Sequence, residues 1–344
     1  MSKFRFLTAG ESHGMCLNAI IEGMPANITI DKTFINNDLA RRQSGYGRGG
    51  RMQIETDKVL IKSGVRFGKT TGAPISIEVE NKDWQNWTVP MSVDPVDMTD
   101  ADVLELVNAK KITRVRPGHA DLTGAIKYEQ NDVRNILERS SARETAARVA
   151  VGGVAKCLLK EFDIEISSKV LNIAGKHTES EMKSAIDEAK EEGDTLGGCF
   201  EVRLKNVPVG LGSFVQWDRR LDGRLAQALM SIQAIKAVEV GAGVQVADLK
   251  GSQTHDEIFY ENGEYFRKTN NAGGIEGGMT NGEDIVLRVY MKAIPTMKKS
   301  LQSVDIETKQ PYTAHFERSD TCAVEACAVV GEAMAGLSSL GRSK

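Results

Sequence analysis

The sequence predicts an α+β sandwich in which helices are covered by antiparallel sheets. Two observations carry this. Several short segments alternate strictly between apolar and polar residues, as expected of antiparallel strands with one buried face; a doubly wound parallel sheet would show continuous apolar runs. One segment near the C-terminus is apolar nearly all round at helical spacing, so that helix must be covered on every side. No low-complexity linker or composition shift divides the 344 residues, so a single domain over 1–344 is expected.

The elements follow in chain order. APISIEVEN puts Ile75, Ile77 and Val79 on one strand face and Ser76, Glu78 and Glu80 on the other. From Asp132 to Phe162 the pattern predicts a helix pair, or one long helix interrupted at Gly152-Gly153, rich in alanine and suited to close packing. TESEMKSAIDEAKEEG opens with a capping box, Thr178 and Glu181, and closes at Gly193. Its narrow apolar stripe places it on the surface. CFEVRLKN and DIVLRVYMK alternate like the first strand. DTCAVEACAVVGEAMAGL is the buried helix, and Asp320 at its start reads as an N-cap. A phrase, G-x-T-x-G followed by alternating apolar residues, occurs at Gly68, Gly193 and Gly278. The unequal spacing excludes a solenoid, and leaves a reused glycine turn or an internal duplication.

Bulk properties narrow the function. Hydrophobic content of 41% and charged content of 26% are those of a soluble globular protein. The net charge of −3 argues against nucleic acid, whose phosphates select a basic excess. No apolar run approaches the roughly 18 residues of a membrane span. No apolar stretch follows Lys3 and Arg5, so a cytoplasmic location is expected. The five cysteines are scattered with no CxxC pair, which argues against a zinc site or a disulfide framework.

The basic residues are concentrated locally. RRQSGYGRGGRM carries Arg41, Arg42, Arg48 and Arg51 among glycines. RPGHAD sets Arg116, His119 and Asp121 around a Pro-Gly turn, a fixed cation beside a proton donor. ERSSARETAARVA spaces Arg139, Arg143, Glu144 and Arg148 as helix-surface ion pairs would be, yet its small residues would also let a ligand approach. NNAGGIEGGMTNG is a glycine-rich loop able to present backbone N–H groups to an anion or a flat ring. GESHG formally matches the nucleophile elbow of hydrolases at Ser12, but it sits at the N-terminus without the preceding strands, which turns attention to His13. SGVRFGKT fails the spacing of a phosphate-binding P-loop. Small basic clusters beside glycine, serine and histidine fit one polyanionic small molecule gripped from several loops.

GESHG, RRQSGYGRGGRM, SGVRFGKTTGAPI, RPGHAD, RSSARETAARVA, NNAGGIEGGMTNG, KAIPT and RSDTC, in this order, resemble the chorismate synthase family across nearly the whole chain. The resemblance implies a β-α-β sandwich with central helices covered by antiparallel sheets, and a homotetramer. It implies anti-1,4-elimination of phosphate from 5-enolpyruvylshikimate 3-phosphate (EPSP) to give chorismate, the last common step to the aromatic amino acids. Reduced FMN is required although there is no net redox change. In some members NADPH reduces the flavin; otherwise an external flavin reductase supplies it. By motif match, His13 resembles the acid that protonates departing phosphate. His119 resembles the residue that manages flavin protonation, and Asp320 the one that helps take the C6 proton by way of the flavin. Arg42, Arg48, Arg116, Ala142 and Arg143 resemble the substrate site, and Arg42 and Arg48 also match positions assigned to NADPH. The flavin would be held by Arg139, Ser140 and Ser141, by Gln233, Ala234 and Gly277, by Lys292, Ala293, Ile294, Pro295 and Thr296, and by Arg318. No metal is implied. Two departures stand out: Ser319 where many members have His, and Ala293 where many have Pro.

Overall fold

The computed structural model describes residues 4–49, 56–299, 301–314 and 320–340. Arg51, Arg318 and Ser319 lie outside the described residues. Two four-stranded antiparallel sheets sandwich a layer of helices. The first contains β1 (Arg5–Ala9), β2 (Cys16–Glu22), β3 (Val59–Ile61) and β4 (Ile75–Glu80), in the order β1-β2-β4-β3. The second contains β5 (Glu165–Ile173), β6 (Gly198–Lys205), β7 (Ile235–Val240) and β8 (Ile285–Met291), in the order β5-β6-β8-β7. Between them run α1 (Lys32–Gln43), α5 (Thr145–Lys160), α7 (Leu221–Met230) and α8 (Val324–Ser339). Outside this layer lie α2 (Ala101–Lys110), α3 (Asp121–Lys127), α4 (Arg134–Ser140) and α6 (Glu179–Glu192).

The expected alternation is realised. Ile75, Ile77 and Val79 are buried, as are Phe200, Val202 and Leu204, and Ile285, Leu287 and Val289. These faces close on α5 from one side and on α8 from the other, while α5 and α8 pack against each other. Helix α6 has the expected capping box and ends at left-handed Gly193.

The two sheets share one strand order because the chain repeats itself. Each half has the framework strand, strand, helix, strand, strand and then the long buried helix, α5 in the first half and α8 in the second; α2, α3 and α4 are inserted before α5, and α6 between β5 and β6. The repeated glycine phrase marks the same joint in both halves. Thr70 Oγ1 donates to the Pro25 carbonyl at 2.6 Å and accepts from the Ile28 amide at 2.9 Å. Thr280 Oγ1 donates to the Pro208 carbonyl at 2.6 Å and accepts from the Leu211 amide at 2.8 Å. The phrase at Gly193 is not part of this pair: Thr195 Oγ1 donates to the Ile294 carbonyl instead.

The helix break expected at Gly152-Gly153 is displaced to Ser141. Ser141 is extended, and its hydroxyl accepts from the Arg143 amide to start a new turn, after which α5 runs through both glycines. The glycines serve close packing. A Cβ on Gly152 would lie 2.3 Å from the Ala333 Cβ on α8. We therefore expect Gly152→Ala to destabilise the protein by about 1–3 kcal/mol through overpacking. The urea-unfolding midpoint reads this, and a midpoint equal to wild type would contradict the close crossing.

Candidate active site

A cavity of about 540 Å³ opens where the helix layer ends. It takes the last residues of α1 (Arg42), the segment after α7 (Ile232, Gln233, Ala234), the approach to α5 (Ala142, Arg143) and the start of α8 (Ala323, Ala326, Cys327). Both halves of the repeat therefore contribute a helix end and a helix beginning. The beginnings of α5 and α8 line it, and the positive ends of their helix dipoles favour an anion.

Loops bring in the titratable groups. Residues Gly10–Gly14 connect β1 to β2, so this is strand–turn–strand geometry and not the strand–turn–helix of a nucleophile elbow. The turn presents His13, whose Nδ1 lies 2.8 Å from Glu138 Oε1 on α4. The Pro-Gly turn at 117–118 presents His119, whose Nδ1 lies 2.5 Å from Asp121 Oδ1. A carboxylate only accepts, so each Nδ1 carries a hydrogen and each Nε2 is left for a ligand. That assignment makes the 3.1 Å approach of Arg116 Nη2 to His119 Nδ1 a contact between two donors, and the guanidinium bonds to Asp121 instead. Asp121 also accepts from Arg116 Nε at 2.8 Å. Burial opposes its charge, but the bonds from His119 and Arg116 outweigh this and hold the carboxyl well below the usual carboxylate range.

The arginines divide by how their donors are spent. Arg143 bonds to Asp57, Asn81 and the Glu80 carbonyl. Arg116 bonds to Asp121 and to Thr296 Oγ1. Arg48 pairs with Asp320 at 2.7 Å, and the Gly49 amide donates to the other carboxylate oxygen at 2.7 Å. Arg42 is the least committed. Among the described residues its one ion pair, to Asp57, is 3.3 Å long, and its buried Nε has no partner. Burial, against the pull of Asp57 and with Arg143 and Arg48 nearby, lowers Arg42 to about 10, which leaves it charged at neutral pH. Arg41 turns the other way and forms a bidentate pair with Glu332 in the helix layer.

Several expectations meet the structure differently. Asp320 is not an N-cap, because α8 starts at Val324; the carboxylate goes to Arg48 and Gly49 instead. Arg139 does not line the cavity: its guanidinium binds Thr8 and the Gly10 carbonyl and so holds the turn that carries His13. Gly277 and Ala293 are also absent from the cavity wall. In the 270–282 loop, the Gly273 and Gly274 amides are taken up by Asn270, and those of Asn271 and Ala272 by Asp256. Apart from Arg318, which lies outside the described residues, the other residues matched above, among them Ser140, Ser141, Lys292, Ile294, Pro295 and Thr296, do line it. Glu138 and Asp57 support the site, yet in sequence they look like any other acidic residues.

A flavin fits this wall. Gln233 gives its Nε2 to Glu144 at 3.0 Å, and its Oε1 is buried with no partner among the described residues. That fixed acceptor suits an N–H of a flavin ring, and Leu137, Ile232, Met291 and Val330 supply apolar surface for the ring face.

The chain matches the chorismate synthase family profile over residues 4–340. It is 58% identical over 331 residues to the chorismate synthase of Thermoanaerobacter pseudethanolicus, covering 96% of this chain and 90% of that protein. With the chorismate synthase of Brevibacillus brevis, identity is 56% over 357 residues, covering 96% of this chain and 91% of that protein. A solved structure titled "Crystal Structure of Chorismate Synthase" superposes with a TM-score of 0.76 at 43% identity, covering 99% of this chain and 91% of that one.

Proposed function

The chain belongs to the chorismate synthase family and is a lyase, and from that premise we propose that the cavity at the helix ends is where it converts EPSP to chorismate. The observation that carries this is the convergence of Arg42, Arg48, Arg116 and Arg143 with two oriented imidazoles on one cavity of a protein whose net charge is −3. EPSP carries one phosphate and two carboxylates, which planar, permanently charged guanidiniums suit.

In this reading Arg42 and Arg48 bind the anionic groups directly. Arg116 and Arg143, whose donors are largely committed, supply field and shape. His13 donates a proton from Nε2 to the departing phosphate. Asp320 takes up the proton lost from C6, with Arg48 steadying its charge. His119 presents Nε2 on another part of the wall, where it would manage protonation of the reduced flavin. Ser140, Ser141, Gln233, Ala234 and residues 292–296 would hold the flavin. Reduced FMN, when bound there, would lend an electron transiently and be recovered unchanged. Carbon–oxygen cleavage releases phosphate, the C6 proton leaves, and no net oxidation occurs.

We further place the enzyme in the cytoplasm as a homotetramer that draws reduced FMN from an external flavin reductase or through NADPH. Among the described residues no helix is long and apolar enough to cross a membrane. The test of the function is anaerobic. With EPSP and chemically reduced FMN, chorismate absorbance and free phosphate should rise together, and neither should rise with oxidised FMN. If both ligands bind and neither product appears, the assignment of this cavity is wrong.

A further inference from the structure

We propose that Glu138 is a positioning residue for the reaction: together with Trp87 it locks the His13 ring with Nε2 toward the cavity and supplies the negative charge that steadies His13 when protonated. This rests on the reading of the cavity given above.

Glu138 is among the most completely buried charged residues of the protein. A buried carboxylate is costly unless it is paired and hydrogen-bonded. Arg134, one turn earlier on α4, donates from Nη1 to Oε1 at 3.0 Å. The other close contacts go to one residue, His13: its backbone amide donates to Oε2 at 2.7 Å, and its Nδ1 lies 2.8 Å from Oε1 and 3.0 Å from Oε2. A carboxylate placed only to neutralise Arg134 would not need both the amide and the ring of a residue 125 positions away. Burial works against the charge of Glu138, and the bonds from His13 and Arg134 overcome it, so the carboxyl stays below its ordinary range.

The ring is also held by its face. Trp87 stacks on His13 with centroids 4.1 Å apart and planes 30° from parallel. Trp87 is fixed in turn by its Nε1, which donates to Asp83, and by the cations of Arg134 and Lys110 near its ring. Arg134 therefore braces both parts of the clamp, through Glu138 and through Trp87. With the edge held by Glu138 and the face by Trp87, rotation of the ring is blocked. The same logic, in which a buried carboxylate fixes the tautomer and supports the imidazolium, operates in serine-protease triads.

The experiment compares Glu138→Gln and Glu138→Asp with wild type, using EPSP and reduced FMN under anaerobic conditions. Glutamine keeps the shape but loses the charge, and its amide can present a donor to Nδ1. We expect kcat to fall about 100-fold with KM for EPSP within about threefold, as for loss of a residue that orients another. Glu138→Asp keeps the charge and should recover at least about tenfold of that loss. FMN fluorescence quenching verifies that each variant retains a folded cavity, and Glu138→Asp carries the test if the glutamine variant does not fold. A Glu138→Gln enzyme within threefold of wild-type kcat overturns the inference. So does a loss confined to KM, or an aspartate variant no better than the glutamine one. A wild-type enzyme that forms no chorismate overturns the function assigned to the cavity, and the inference falls with it.

Discussion

His13→Ala is expected to lower kcat about a hundred- to ten-thousand-fold, the usual worth of a positioned proton donor. The physical reason is that phosphate leaves as a more stable anion when it is protonated as the carbon–oxygen bond breaks. His13 is placed for this because its Nδ1 is occupied by Glu138, so Nε2 is the nitrogen that can meet a ligand. KM for EPSP should change much less, since the arginines remain. The assay is single-turnover chorismate formation with reduced FMN, and full turnover by the variant would remove His13 from the mechanism. The variant also leaves Glu138 with its bond to Arg134 and without its ring partner, so a parallel unfolding measurement separates loss of chemistry from loss of structure.

The largest stability effect is expected away from the cavity. Glu332 on α8 accepts from Arg41 at 2.6 and 2.9 Å, from Lys156 at 2.8 Å and from Ser168 at 2.6 Å. Asp38 shares Lys156 at 2.7 Å and Arg41 at 2.8 Å. This cluster ties α1, α5, α8 and β5 together in the middle of the sandwich. Glu332→Gln keeps the volume but leaves two cations with one carboxylate, and breaking such a buried arrangement costs about 3–5 kcal/mol. Burial opposes the charge of Glu332, but Arg41, Lys156 and Ser168 overcome it and lower the carboxyl to about 2. Because the folded value lies below the ordinary one, this stability is complete above the ordinary carboxylate range and is lost as pH falls toward 2. The gap between wild type and Glu332→Gln in urea midpoint should therefore be widest near neutrality and narrow below about pH 4.5. A gap that is constant with pH would show that the charge is not what stabilises the junction.

Much of the local structure was legible in the sequence because its rules act over a few residues. Alternation along 75–80 and 285–291 identified strands and their buried faces, since side chains of a strand alternate with period two whatever they pack against. Thr178, Glu181 and Gly193 marked both ends of α6, because capping bonds close within one turn. The order of eight motifs identified the family, and most of the matched residues line one cavity. The rest depended on contacts between distant segments. Gly152-Gly153 has the composition of a helix break, and only the crossing with Ala333 shows why a continuous helix needs those glycines. Asp320 has the position of a cap until Arg48, from the far end of the chain, claims it. Glu138 follows Arg134 by four residues, as in any surface ion pair, until the β1–β2 turn brings His13 onto it. By itself the sequence determined strands, helix ends and the residue types of the site. Tertiary structure decided which charges are paired and which remain for a ligand, because pairs such as His13–Glu138 and Arg48–Asp320 are set by distances between residues that the chain places more than a hundred positions apart.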